Sequence, residues 1–283
     1  MIARLRSLLR RWLIEAPSIE VENGEMGPGA GLQPVPDPGL YDSTLGGWFL
    51  NRTGELIKGF AISENDTVVD VGCGDGKFAY FCANQGAAII LVDVDDDSLS
   101  NAASRLESTR ARSVTVHAVN DGQPLPLTDG LATKVVAMEV LEHVNDPVAF
   151  MTELVRIGAP GAQYLLSVPA ALSESVQKTL APPNYFEKPN HIRIFETEEF
   201  EALVRLSGLV IERKEAYGFY HTIWWSFFWT CDQDFKAPWH PLLKSWEHTW
   251  GLLLATRDGE KVKKSLDENM PKSQAIIARK PLQ

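Results

Sequence analysis

Short apolar runs alternate with helical repeats from about residue 67 to the end of the chain. Seven runs read as strands: Thr67–Val71, Ala88–Val92, Val114–Ala118, Lys134–Met138, Gln163–Val168, Val210–Lys214 and Gln274–Arg279. Most are apolar on both faces, the pattern of strands covered on both sides. Between them Lys77–Asn84, Ser98–Glu107, Pro147–Ile157 and Thr197–Leu206 carry helical spacing, with Thr197 as the expected N-cap of the last. Such alternation predicts an α/β fold with a parallel sheet wound by helices on both faces. A further helix is expected over Leu45–Phe60.

Ahead of this pattern, residues 1–15 place Ile2, Leu5, Leu8, Leu9, Trp12 and Leu13 at helical spacing among Arg4, Arg6, Arg10 and Arg11. They predict an amphipathic helix, suited to an anionic membrane surface or to docking on the chain's own domain or a partner. Residues 16–40, rich in proline and glycine, read as a linker. The domain is then expected over 41–283, with insertions at about 170–195 and 217–272.

Composition narrows the class. With 45% hydrophobic residues a sizeable core can form. The net charge of -10 speaks against broad binding to a phosphate backbone. Cys73, Cys82 and Cys231 have no metal-knuckle spacing and point to a reduced, cytosolic compartment. No stretch approaches the ~18 apolar residues of a membrane span. Arg10 and Arg11 interrupt what would be a secretory signal. A cytoplasmic location is expected, with residues 1–15 as a candidate contact to the inner membrane surface.

The chemistry begins at Asp70-Val71-Gly72-Cys73-Gly74-Asp75-Gly76, which follows the first strand of the sheet. Ligands of open parallel sheets bind beyond the carboxyl ends of the strands. Glycines there let the backbone turn and approach a ligand closely. Asp93 closes the next strand, where a carboxylate can accept both hydroxyls of a ribose. The spacing is G-x-G-x-G rather than the G-x-G-x-x-G of dinucleotide binding, which argues against a nicotinamide enzyme.

DVGCGDG, then LVD, NDGQPLPL, VVAMEVLEHV and RIGAPG together resemble the class I methyltransferases over about residues 45–215. The resemblance implies a Rossmann-like sheet of about seven strands, mostly parallel with an antiparallel last strand, and S-adenosylmethionine as methyl donor. It implies that Gly72, Gly74 and Gly76 line the methionine end, that Asp93 holds the ribose, and that Asp121 and Gly122 meet the adenine. Asp70 and Glu139 complete the candidate cofactor set. Arg52 stands where some relatives place an arginine against the donor carboxylate. The chain departs from the pattern at Ala162, expected in a turn, where relatives often carry a second glycine.

Glu139-Val140-Leu141-Glu142-His143 resembles the E-x-x-E-H string of two metal-dependent groups, the ubiquinone-pathway O-methyltransferases and the small-RNA 2′-O-methyltransferases. The second group adds a distal histidine, and His191 is the candidate here. A cation on Glu139, Glu142, His143 and His191 would hold a hydroxyl oxygen and lower its pKa. Two carboxylates and two imidazoles suit a mid-row divalent ion or zinc better than magnesium. Without a cation, His143 or His191 would serve as general base. In many metal-free methyltransferases, however, such a turn only packs and caps a helix.

Residues 217–250 hold six of the eight tryptophans, more than the sheet needs. They could wall a lipid or sugar pocket, form a homodimer interface, or make a small helical core of their own. The loop 182–195 is expected to reach across the site and deliver His191. The first functional reading is transfer of a methyl group from S-adenosylmethionine to a hydroxyl of a small molecule, a sugar or a lipid-linked intermediate. A metal-dependent RNA 2′-O-methyltransferase and a cofactor-binding scaffold at a membrane are the alternatives.

Overall fold

The computed structural model describes residues 33–234 and 236–282. The helix expected over 1–15 and most of the linker lie outside the described residues. Residues 34–40, expected as the linker's end, join the fold. Val35 N–H donates to the Gly251 carbonyl at 3.3 Å, and α1 opens at Pro38 (Pro38–Leu45). Asp37 caps it by accepting from Leu40 N–H at 2.9 Å.

The helix expected over Leu45–Phe60 is not there. An antiparallel three-stranded sheet takes its place, β1 (Trp48–Leu50), β2 (Glu55–Ile57) and β3 (Phe60–Ala61). Gly47 and Gly54 adopt φ of 83° and 70°, which no helix accommodates. Trp48, Leu56, Ile57 and Phe60 are then buried at the same time. Their burial in the domain core offsets the helical preference of the intervening residues.

The rest follows the alternation: β4 (Thr67–Val71), α2 (Lys77–Asn84), β5 (Ala88–Asp93), α3 (Asp96–Leu106), β6 (Ser113–Ala118), β7 (Ala132–Met138), α4 (Pro147–Ile157) and β8 (Gly158–Pro169). Then come α5 (Ala171–Leu180), α6 (Thr197–Leu206), β9 (Val210–Tyr217), α7 (Phe219–Thr230), α8 (Pro241–Leu254), α9 (Gly259–Asn269) and β10 (Ser273–Arg279). Thr197 is the first helical residue of α6 and not its cap; the cap is Glu196, whose N–H donates to the Glu199 carboxylate at 3.2 Å. Ala162, expected in a turn, lies inside β8, as does the preceding Gly161, which has φ of 81°.

The main sheet has the order β6-β5-β4-β7-β8-β10-β9. Its pairs from β6 to β8 are parallel, and β10 runs antiparallel between β8 and β9. The last strand is thus antiparallel, as the resemblance implied. Side chains of alternate residues leave opposite faces of a strand. Val135 and Ala137 accordingly pack with Met151, Leu154 and Phe200 of α4 and α6. Val136 and Met138 pack with Ala79, Leu99 and Leu106 of α2 and α3, together with Leu56 and Phe60. A third cluster, Phe219, Tyr220, Trp224, Phe228, Leu243, Trp250 and Leu254, joins α7 and α8 into a cap. Among the described residues no helix is long and apolar enough to cross a membrane.

Candidate active site

The loop after β4, the end of β5, the turn after β7 and the end of β8 all meet at the carboxyl edge of the sheet. β10 runs the other way, so its first residue, Ser273, and the preceding Lys272 arrive at that edge too. Two cavities open there, of about 270 Å³ and about 230 Å³. Both are lined by Gly72, Glu139 and His143, where they adjoin.

The larger cavity collects most of the expected donor set: Gly72, Gly74, Asp93, Asp121, Gly122 and Glu139. Gly72 has φ of 70°, and a Cβ on it would lie 2.5 Å from a methyl carbon of Val140. Only glycine fits that turn. Asp93 is buried and orders the loop around it. It accepts from Gly74 N–H and Val94 N–H, both at 2.7 Å, and from Asp95 N–H at 3.1 Å. Asp121 accepts from the Asn145 side chain at 2.7 Å. Gly76 caps α2 with φ of 78°, and its missing Cβ makes room for Ala102. Asp70 and Gly76 line neither cavity, so they shape the loop from behind. Arg52 is exposed in the turn between β1 and β2 and also lines neither cavity.

The smaller cavity lies under the cap. Trp48 and Phe49 of β1 and Trp224, Trp225 and Trp239 of the cap form its apolar walls. The aromatic segment is therefore both a helical core of its own and the wall of a chamber. The loop 182–195 does reach across: Pro189 lines the larger cavity, and Tyr185 and His191 line the smaller one.

At the junction the expected four-residue cluster divides. Glu139 sits in a left-handed backbone conformation, φ 55°, a strained state of the kind that gathers at functional sites. Its carboxylate accepts from Ser167 Oγ at 2.8 Å, Lys272 Nζ at 3.0 Å and Ser273 Oγ at 3.1 Å. Burial works against its charge, but the Lys272 ammonium and the Ser167 hydroxyl outweigh it and hold the carboxyl below its usual range. Glu139 thus takes partners on β8 and β10 and stands apart from the other three.

Glu142, His143 and His191 do come together, with one ligand atom each within 4.8 Å of the others. Glu142 is fully buried, and neither carboxyl oxygen accepts a hydrogen bond. Burial, then the charge of Glu139, push its carboxyl well above the usual range. The Pro189 carbonyl, 3.2 Å from His143 Nδ1, can only accept. The proton of neutral His143 therefore belongs on Nδ1, which leaves the Nε2 lone pair facing Glu142 Oε1 at 3.7 Å. His191 Nδ1 lies 2.6 Å from Glu174 Oε2, and the two imidazoles pack edge to face at 4.9 Å.

Lys272, Glu174 and Lys77 were not expected from the sequence. Lys272 lies 133 residues from its partner Glu139, and Glu174 reads as an ordinary polar position of α5. Lys77 does follow the glycine loop directly, which is a signal available in the sequence.

A family model for the methyltransferase domain matches residues 49–214. The chain belongs to the class I S-adenosylmethionine-dependent methyltransferases. A ubiquinone biosynthesis O-methyltransferase of Hydrogenovibrio crunogenus is 27% identical over 170 residues, 56% of this chain and 68% of that protein. A probable S-adenosylmethionine-dependent methyltransferase of Mycolicibacterium smegmatis is 27% identical over 154 residues, 54% of this chain and 55% of that one. A ubiquinone biosynthesis O-methyltransferase of Methylococcus capsulatus is 32% identical over 103 residues, which span 41% of its length. With the first, the match spans about two thirds of the relative; with the other two, about half or less.

Solved structures share this methyltransferase's fold. A putative methyltransferase of Bacillus halodurans superposes with a TM-score of 0.53 at 18% identity, covering 78% of this chain and 95% of that one. The cyclase SpnF superposes at 0.56 and 18% identity, over all of this chain and 96% of that one. One fold therefore serves different reactions, and the acceptor chemistry has to be read from the site.

The donor fits the larger cavity. A buried carboxylate closes β5, a turn that excludes any Cβ approaches it, and Val119, Val140, Val144 and Phe150 supply an apolar wall. When bound, S-adenosylmethionine supplies a methyl group already activated as a leaving-group sulfonium.

Proposed function

We propose that this enzyme methylates a hydroxyl oxygen of an amphipathic small molecule. One observation carries the reading. The donor-type cavity and the aromatic chamber share Gly72, Glu139 and His143, and the Glu142–His143–His191 group stands at that seam. An acceptor whose flat or prenylated body packs against Trp224, Trp225 and Trp239 would present its hydroxyl there. The names of the relatives, which include ubiquinone biosynthesis O-methyltransferases, support an oxygen acceptor of this kind.

The residues divide the work. Asp93 and Asp121 hold and orient the nucleoside. His143 Nε2 takes the acceptor proton, because Nδ1 is committed to Pro189. The cap excludes water and presses the acceptor into line, and such positioning supplies much of the rate. The same group also fits a divalent cation. Both Glu142 oxygens lack partners, and Glu174 braces His191 as carboxylates brace metal-bound imidazoles. Glu142, His143 and His191 would hold such an ion, which would lower the pKa of the hydroxyl.

Isotope-labelled methyl transfer to a panel of catechols, prenylated catechols and the matching anilines tests the reading. Label on oxygen of the hydroxylated members is expected; label confined to nitrogen would overturn it. Dialysis against a chelator should abolish transfer if a cation is used, and unchanged transfer would leave deprotonation to His143 alone. In calorimetry, Asp93→Ala should weaken S-adenosylhomocysteine at least about tenfold, the size expected for charged hydrogen bonds.

A further inference from the structure

Three lysines line the aromatic chamber, and two of them are committed. Lys263 is paired with Asp267, and Asp42 stands 3.6 Å away. Lys272 is paired with Glu139 at 3.0 Å. Lys77 has no ion pair or hydrogen bond from its ammonium among the described residues. Its Nζ lies 4.6 Å from the Phe49 ring centre and 5.4 Å from that of Phe78. Ring faces replace only part of the hydration that a cation loses. Burial accordingly pulls the Lys77 ammonium down to about 7, against the opposing charges of Asp75 and Asp37 and with that of Arg105.

The place of Lys77 suggests its ligand. The nucleoside end of the donor belongs in the larger cavity, between Asp93 and Asp121. That cavity adjoins the chamber at Gly72. From there the glycine loop runs along the chamber wall, where Cys73, Asp75 and Lys77 follow one another. A donor whose sulfur sits at the seam must send its amino-acid tail along this wall. The tail ends in a carboxylate, which needs a cation once buried. Arg52, the cation expected for this role, is exposed and lines neither cavity.

We propose that Lys77 anchors the carboxylate of the donor's amino-acid tail, taking the role that the sequence pattern offers to Arg52. The acidic groups on the same wall do not oppose it. Asp42 and Glu139 are engaged by lysines, and Asp75 stands 3.4 Å from Arg105. His221 of α7 lines the chamber as well. Burial, then the nearby charges of Lys77, Lys272 and Lys263, hold its imidazole neutral, at about 3. A neutral imidazole can donate one hydrogen bond to the same carboxylate without adding charge. The cap would thereby close over the donor tail as well as over the acceptor.

The inference rests on the donor lying in the larger cavity, and the test separates the two. Calorimetry of the full chain is run with S-adenosylmethionine, its decarboxylated form and 5′-methylthioadenosine. The wild-type protein should prefer the first over the second by about tenfold, the worth of a charged hydrogen bond. Lys77→Met should abolish that preference and leave 5′-methylthioadenosine binding unchanged, which also shows that the variant is folded. Arg52→Met should keep the preference. A Lys77→Met protein that retains the preference, or that loses all three ligands alike, overturns the assignment, as does loss of the preference in Arg52→Met. A wild-type protein that binds none of the three overturns the donor site itself.

Discussion

Asp42 lies where α1 meets α8 and α9, almost fully buried, and accepts from Trp250 Nε1 at 2.9 Å. Burial raises its carboxyl to about 6; Lys263 pulls it down and Asp267 pushes it up. The folded protein thus binds this proton more tightly than the unfolded chain, whose carboxyl titrates near 3.8. Its contribution to stability is fully present below that value and is lost as pH climbs through about 6. Asparagine keeps the shape and has no such loss. The melting temperature of Asp42→Asn relative to wild type should therefore rise from pH 4 to pH 7, and a flat difference would refute the account. The sequence contains no hint of this. Asp42 and Trp250 are 208 residues apart. The positions of Asp93 and His143 at the cavity were legible because each goes with a local pattern, a strand end and a turn.

Single elements were more legible, because their causes are local. α4 begins at Pro147, whose missing N–H falls where none is needed. Asp146 accepts from both Val148 N–H and Ala149 N–H at 3.0 Å. α4 packs Met151, Leu154 and Ile157 against the sheet, and its start is joined to the Glu142–His143 turn. Asp146→Ala should cost about 1 kcal/mol. That corresponds to a fall in melting temperature of about 2–4 °C, and a scan that shows no change would rule the cap out as an anchor. The segment 45–60 shows the opposite case. Its apolar residues also suit a helix, but Gly46, Gly47, Gly54 and Gly59 interrupt one, and only docking on α2 and the sheet turns the segment into β1–β3.

At the scale of the molecule, ligand and fold are thermodynamically linked. The larger cavity is lined by the ends of β4 and β5, the loop after β6, the turn after β7 and the loop 182–195, which are distributed along the chain. A ligand there ties these parts together and binds only the folded state. S-adenosylhomocysteine at a hundred times its dissociation constant should stabilise the protein by about 2.7 kcal/mol. At about 2–4 °C per kcal/mol, the melting temperature should rise by about 5–10 °C. Asp93→Ala should lose this rise at the same ligand concentration. An equal rise in both proteins would place the ligand elsewhere. The cap responds at the same scale. α7, α8 and α9 share a core with α1, so the chamber roof is continuous with the start of the described chain.

The sequence alone determined the alternation of strands and helices, the glycine loop and the acid that closes β5. Each of these rests on periodicity, on backbone sterics or on a short spacing, and short-range causes are written in consecutive residues. Tertiary structure alone decided which charges meet. It paired Glu139 with Lys272, set Glu174 behind His191, left Arg52 outside and put Lys77 on the chamber wall. An ion pair depends on distance in space and on the water it excludes, and neither is encoded in neighbouring residues.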